Sequence, residues 1–101
     1  MSIFHDAKKA DTNGACFAIL DAFPLSRGHT LVCPYREIKT TDELTDVELV
    51  DLWSLVERAK IRLRSTSQDI IGFRIMINEG APAHVDHLHV HVIPWYEGMK
   101  P

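Results

Sequence analysis

His87-Leu88-His89-Val90-His91-Val92-Ile93-Pro94 sets three histidines at strict two-residue spacing, with branched apolar residues between them. Period-two alternation predicts a half-buried strand with the three imidazoles on one face and Leu88, Val90 and Val92 on the other. At roughly 3.3 Å of rise per residue, His87 and His91 stand about 13 Å apart, too far for both to ligate one metal ion at about 2 Å. The spacing favours a lined surface over a chelate. An affinity tag, or a strand of merely solvated histidines, would not interleave Leu, Val and Val. Nor would it gather three of the chain's six histidines in one pleat register.

Working outward, residues 79–86, with Gly80, Pro82 and two alanines, read as a small-residue loop delivering the chain into that strand. Residues 70–78 alternate again, with Ile71, Phe73, Ile75 and Ile77 on one face and Gly72, Arg74, Met76 and Asn78 on the other. From Thr45 the period changes. Leu49, Leu52, Trp53, Val56, Ala59 and Leu63 recur at three- and four-residue steps, the apolar face of a helix. Thr45-Asp46-Val47-Glu48 fits a capping box at its start. Acidic residues early (Asp46, Glu48, Asp51) and basic ones late (Arg58, Lys60, Arg62, Arg64) follow the helix dipole, so the basic run reads as a solvated helix end. Toward the N-terminus, residues 3–7 read as a short strand and Asn13-Gly14 as a hairpin signal. Residues 16–22 read as the next strand, and 29–33 as another stopped by Pro34, with Pro24 and Gly28 as turn punctuation between them. Strands in hairpin-capable order around one long helix predict an α+β class: a mainly antiparallel sheet of about five strands with the helix packed on it. Residues 1–101 are expected to form a single domain.

The composition, 46% hydrophobic and 25% charged over 101 residues, suits one ordinary globular domain. A core this small makes a homodimer that covers a sheet edge the expected assembly. A formal net charge of -3 argues against a general polyanion-binding surface, so no nucleic acid duplex is expected. Cys16 and Cys33 form no CxxC pair and read as reduced core thiols. Residues 1–10 lack an apolar leader segment and no run approaches a membrane span, so no membrane partner is expected and the cytoplasm is the default compartment.

Imidazole is a competent nucleophile near neutral pH, and its attack on a phosphoryl group gives a phosphoramidate that water can hydrolyse. Flanking histidines one pleat repeat away can donate hydrogen bonds to nonbridging oxygens. At this point the chain resembles the histidine triad (HIT) family of nucleotide hydrolases and transferases, whose defining strand alternates His with apolar residues as residues 87–93 do. Phe17-Ala18-Ile19-Leu20-Asp21, Gly28-His29-Thr30-Leu31-Val32-Cys33-Pro34 and Asn78-Glu79-Gly80 are similar to further blocks of that family. The likeness spans roughly residues 3–97. The resemblance implies a HIT-like fold and a nucleotide or dinucleotide substrate. His89 is then the nucleophile toward an α-phosphate, forming a nucleotidyl-histidine, with His87 and His91 in support and His29 in the catalytic cluster. Asp21 is a ribose contact, and Asn78 a phosphate or ribose contact.

The chain also departs from the family pattern. Pro82-Ala83-His84-Val85-Asp86 replaces the usual Gly-Gln-Ser/Thr approach, which puts His84 where a hydroxyl is frequent and makes it a candidate to protonate the leaving group or touch phosphate. Trp95 stands where Arg often follows Ile-Pro, which favours small leaving groups over long polyphosphates. The zinc-binding cysteines of some members are missing, so no structural metal and no cofactor are expected. Two other readings remain: a metal-dependent enzyme using a His-x-His pair with His29, His84 or Glu97, and a noncatalytic nucleotide-binding protein.

Overall fold

A computed structural model describes residues 3–101; Met1 and Ser2, the first residues of the polar N-terminal stretch, lie outside the described residues. The strands are β1 (Lys9–Thr12), β2 (Cys16–Leu20), β3 (Thr30–Pro34), β4 (Ile70–Ile77) and β5 (Val90–Tyr96), with the helix α1 (Asp46–Thr66) between β3 and β4. They form one antiparallel sheet in the order β1-β2-β3-β5-β4, so β5 is paired on both sides. This is the α+β architecture that the alternating segments and the single long amphipathic helix predict. No helix among the described residues is long and apolar enough to cross a membrane.

Register sorts the side chains onto two faces. Cys16, Ala18, Val32, Val90 and Val92 share a core with Leu52, Leu55, Val56 and Leu63 of α1. Phe17, Ile19, Leu31 and Cys33 share the opposite face, where Phe4 packs on them. Both faces of β2, apart from Leu20 at its end, and of β3 are therefore buried. Because Leu31 pairs with His91, the one histidine of β5 falls on the face away from α1.

The helix begins where its caps predict. Thr45 Oγ1 accepts from the Glu48 amide at 3.2 Å, and Glu48 Oε1 accepts from the Thr45 amide at 2.9 Å. Arg36 grips the same carboxylate through Nε and Nη2 at 3.0 and 2.8 Å, which fastens the segment after β3 to the helix start. With Arg36 the main cause and the Thr45 amide next, the Glu48 carboxyl is held down to about 2.

Four local expectations change. Residues 3–7 do not form a strand: Ile3–Asp6 is a 3-10 turn that seats Phe4 in the core, and the first strand starts at Lys9. The 13–14 hairpin is present, yet no residue there has positive φ, so it is not the primed turn that Asn-Gly favours. Instead Asp51 of α1 organises it, its carboxylate accepting from the Ala15 amide at 2.9 Å and its carbonyl from Asn13 Nδ2 at 2.8 Å. On α1, Leu49 and Trp53 are exposed while Leu55 is fully buried, so the apolar stripe is rotated from the predicted one. In β4 an irregularity between Ile70 and Gly72 reverses the phase, placing Ile70 inward and Ile71 in solvent.

Gly28 closes the loop between β2 and β3 with φ +94°, and a Cβ there would lie 2.7 Å from Leu63 Cδ2. Gly28→Ala is expected to cost about 2–4 kcal/mol, from backbone strain together with overpacking. A thermal melt should show a Tm lowered by roughly 10 °C or more, and an unchanged Tm would refute the packing argument.

Candidate active site

The ladder between β3 and β5 stops at Val32 with Val90, and the physical reason is Pro34, which has no N–H to continue it. Residues 87–89 consequently precede β5 without joining it, and only His91 of the three lies within a strand. Other bonds hold the approach. The Leu88 amide donates to the Ile38 carbonyl at 2.7 Å, and His87 Nε2 donates to the Pro34 carbonyl at 2.7 Å.

These bonds separate the three histidines into different roles. His89 Nδ1–H donates to the His87 carbonyl at 2.8 Å. A carbonyl only accepts, so in the neutral ring the proton sits on Nδ1 and the lone pair on Nε2. His91 is joined to His29: its Nδ1 lies 2.9 Å from His29 Nε2. The Leu25 amide donates to His29 Nδ1 at 3.0 Å, so neutral His29 carries its proton on Nε2 and gives it to His91 Nδ1. His91 is then left with an Nε2–H. The pair offers one lone pair and one donor, with ring centroids 4.8 Å apart.

His87 departs from the expectation that it donates to substrate oxygens. Its Nε2 is spent on Pro34, its ring stacks on His5 at 5.3 Å, and its Nδ1 is buried with no hydrogen-bond partner among the described residues. What it gives His89 is a backbone carbonyl. His5 and Phe4 were not singled out by the sequence, since nothing local marks them. Phe4 meets His89 edge-on at 5.0 Å and His87 at 5.7 Å.

His89 and His91 open onto a cavity of about 460 Å³ that Asp21, Asn78 and His84 also line, with Phe4, Ile19 and Leu31 as apolar walls. No Lys or Arg lines it among the described residues. Asp21 Oδ1 accepts from the Phe23 amide at 2.9 Å, and Oδ2 lies 3.4 Å from His29 Nε2. Asn78 directly follows β4, and His84 is exposed on the loop before the triad. His84, Val85 and Ile3 also border a second cavity of about 340 Å³ with Glu37 and Lys39. Trp95 carries the Arg74 guanidinium 4.6 Å above its ring, so a cation stands beside the position where Arg is absent.

Burial keeps His29, His87 and His91 neutral near pH 7. It is the main cause that lowers His91 to about 4, with His89 and His29 acting in the same direction and Asp21 against them. His29 and His87 are also lowered chiefly by burial, against opposing pulls from Asp21 and the Pro34 carbonyl. With His29 uncharged near pH 7, its 3.4 Å contact with Asp21 is not an ion pair.

Two groups of three metal-capable donors have their atoms within 4.8 Å of one another: Asp21 with His29 and His91, and His5 with Glu37 and His87. Neither joins the His89 and His91 pair to a third ligand, and neither His84 nor Glu97 falls in such a group among the described residues. In the first group the donor atoms face one another through the hydrogen bonds already given.

Residues 5–98 match the model of the HIT domain. Among curated proteins, the chain is 34% identical over 85 residues to an AP-4-A phosphorylase of Mycobacterium tuberculosis, covering 81% of this chain and 43% of that protein. It is also 34% identical over 84 residues to a bis(5'-adenosyl)-triphosphatase of Dictyostelium discoideum, covering 82% of this chain and 56% of that one. The chain therefore spans about half the length of these relatives. A HIT-family crystal structure from Bacillus subtilis superposes with a TM-score of 0.86 at 28% identity, covering 96% of this chain and 74% of that one.

The lowered histidines make a stability prediction with a definite sign. Between an ordinary histidine value of 6.5 and about 4 for His91, the unfolded chain binds protons that the folded chain does not. Stability from this source is complete above pH 6.5 and falls as pH drops through that window. Thermal melts should show Tm decreasing from pH 7 to pH 4.5, and His91→Gln should flatten part of that slope. A Tm that rises on acidification would contradict the neutral assignment.

Proposed function

The chain belongs to the HIT family, and on that premise we propose that it cleaves nucleoside 5'-phosphate conjugates by nucleotidyl transfer through His89. The observation that carries this reading is the His89 bond to the His87 carbonyl, which leaves the Nε2 lone pair as the reactive atom in a cavity that His91 also lines. In the first step Nε2 attacks the α-phosphorus. An N–P bond forms as the bond to the leaving group breaks, and the leaving group departs with the electron pair. His91 donates its Nε2–H to a nonbridging oxygen, stabilising charge that builds up at phosphorus. His84, exposed on the same cavity, supplies the proton that the leaving group needs. In the second step the oxygen of water, which gives its proton to the His84 left deprotonated by the first step, or an oxygen of phosphate attacks the same phosphorus, the N–P bond breaks and its electron pair returns to His89. Water gives hydrolysis and phosphate gives phosphorolysis; the two relatives named above differ in this respect.

The apolar walls suit a nucleobase, the Asp21 carboxylate suits ribose hydroxyls, and the Asn78 amide is available to phosphate or ribose. The absence of a lining Lys or Arg among the described residues favours leaving groups of low negative charge, because no permanently charged cation faces the phosphate. No step needs a metal ion or cofactor, so turnover should persist after chelation and dialysis.

The test is incubation with adenosine phosphoramidate, dinucleoside polyphosphates and adenylyl sulfate, with mass spectrometry of quenched protein. A nucleotidyl adduct on His89 is expected, and His89→Asn should lose at least about 10³-fold in kcat. Turnover that survives in His89→Asn, or tight nucleotide binding with no turnover of any conjugate, would overturn the proposal. His84→Ala should lower kcat/KM roughly 10- to 100-fold, most for poor leaving groups, and change the pH profile. Unchanged values would remove His84 from the mechanism.

A further inference from the structure

The chemistry proposed above needs a donor, not a lone pair, on the cavity side of His91, and a neutral imidazole can present either. What decides between them is not a cavity-lining residue but Leu25, in the loop between β2 and β3. The Leu25 amide on His29 Nδ1 places the His29 proton on Nε2, and that proton obliges His91 Nδ1 to accept. Withdrawing the amide would free His29 to hold its proton on Nδ1 and to accept from His91 Nδ1–H. A bare His91 Nε2 would then face an anionic phosphate oxygen. Asp21 Oδ2, 3.4 Å from His29 Nε2, favours the same tautomer as the amide does.

Two long-range bonds hold the amide in place. Ser26 Oγ donates to the Pro94 carbonyl at 2.6 Å, and the Tyr96 hydroxyl donates to the Arg27 carbonyl at 2.7 Å. The last pair between β3 and β5 at this end is Thr30 with Val92, so Pro94 lies beyond the ladder. Ser26 supplies the partner for this buried residue's carbonyl that β3 does not. The Ser26 carbonyl in turn accepts from the His29 amide at 3.1 Å, so this one residue is tied both to β5 and to His29. The Arg27 guanidinium, 5.0 Å from the Tyr96 ring centre, closes the same contact from the side-chain end.

We propose that Ser26 and Tyr96 are positioning residues: by fastening residues 25–27 to β5 they hold the Leu25 amide on His29 and keep the His91 proton on the cavity side. The consequence for rate rests on the nucleotidyl-transfer reading. The consequence for the tautomer rests on the hydrogen bonds alone.

Long-range proton–nitrogen NMR of the full chain near pH 7.5, without substrate, reads the protonated nitrogen of each imidazole. His29 and His91 are both expected as Nε2–H in the unsubstituted protein. In Ser26→Ala combined with Tyr96→Phe, His91 should become a mixture of tautomers. The same variant should lose roughly tenfold in kcat, on whichever conjugate the protein turns over, with KM changed by less than about twofold, as suits a donor used mainly in the transition state. Ser26→Thr, which keeps the hydroxyl, should retain both the tautomer and the rate. His91 found as Nδ1–H in the unsubstituted protein overturns the proposal, and so does a cooperatively melting double variant whose tautomers are unchanged. The first of these measurements needs no substitution, so it stands even where a variant fails to fold. Failure of every conjugate to turn over would count against nucleotidyl transfer while leaving the tautomer result intact.

Discussion

The missing amide hydrogen of Pro34 is the constraint from which the site follows. β5 needs partners on both sides, and β4 supplies one along the whole strand, from Val90 to Tyr96. On the other side β3 can follow only as far as Val32 opposite Val90, because proline cannot donate the next ladder bond. Had the ladder run on, the His87 carbonyl and the Pro34 carbonyl would compete for strand partners. Released from it, the Pro34 carbonyl takes the His87 ring, the His87 carbonyl takes the His89 ring, and the Leu88 amide finds Ile38. One residue unable to donate thus turns a regular strand approach into a set of imidazole-to-carbonyl bonds, each of which assigns a proton.

Those assignments explain how histidines so close together are tolerated. Charged imidazoles with ring centres about 5 Å apart would repel one another and would lose their hydration besides. Kept neutral by burial, they become polar side chains that need one donor and one acceptor partner each, and carbonyls, an amide and a neighbouring ring provide most of these. Away from the cavity, which the Nε2 atoms of His89 and His91 are left to serve, the exception is His87 Nδ1, buried and unpartnered among the described residues, in a ring held by stacking on His5 and by contacts with Phe4. The hydrogen bonds give His89 and His91 opposite characters, acceptor and donor, from one side-chain type. Sequence distance has no part in this: the bond that sets His91 starts 66 positions upstream, at the Leu25 amide.

Legibility in the sequence followed the range of the interaction. The helix start could be read because a capping box is contained within Thr45 and Glu48, and the strands could be read because alternation is a property of neighbours. The phase of β4 could be read from Phe73 to Ile77 but not at its start, where the irregularity between Ile70 and Gly72 depends on the pairing with Tyr96 and Trp95, and the face of α1 that buries Leu55 in place of Leu49 depends on where the sheet lies. Asn13-Gly14 signalled the hairpin correctly, while its turn geometry is set from outside, because Asp51 supplies hydrogen bonds that a free-standing turn must find for itself. The triad spacing identified which side chains share a face. It was silent on His5, on Phe4 and on the Leu25 amide, none of which carries a local pattern.

The distinction between a lined surface and a chelate, first drawn from strand rise alone, becomes one of hydrogen-bond direction in the folded chain. In a chelate every donor atom turns its lone pair toward a common point. Here Leu25, His29 and His91 run head to tail, so each lone pair is already met by a proton and only the last N–H is left over. Asp21 flanks the chain with its carboxylate toward His29 Nε2 and its other oxygen on Phe23, which reinforces that direction. A head-to-tail row delivers a donor at its end, and beside it the His89 bond to its own predecessor's carbonyl delivers a lone pair. A ring nitrogen with a free lone pair beside a neighbouring N–H donor is therefore what three evenly spaced histidines become once a proline has interrupted their strand.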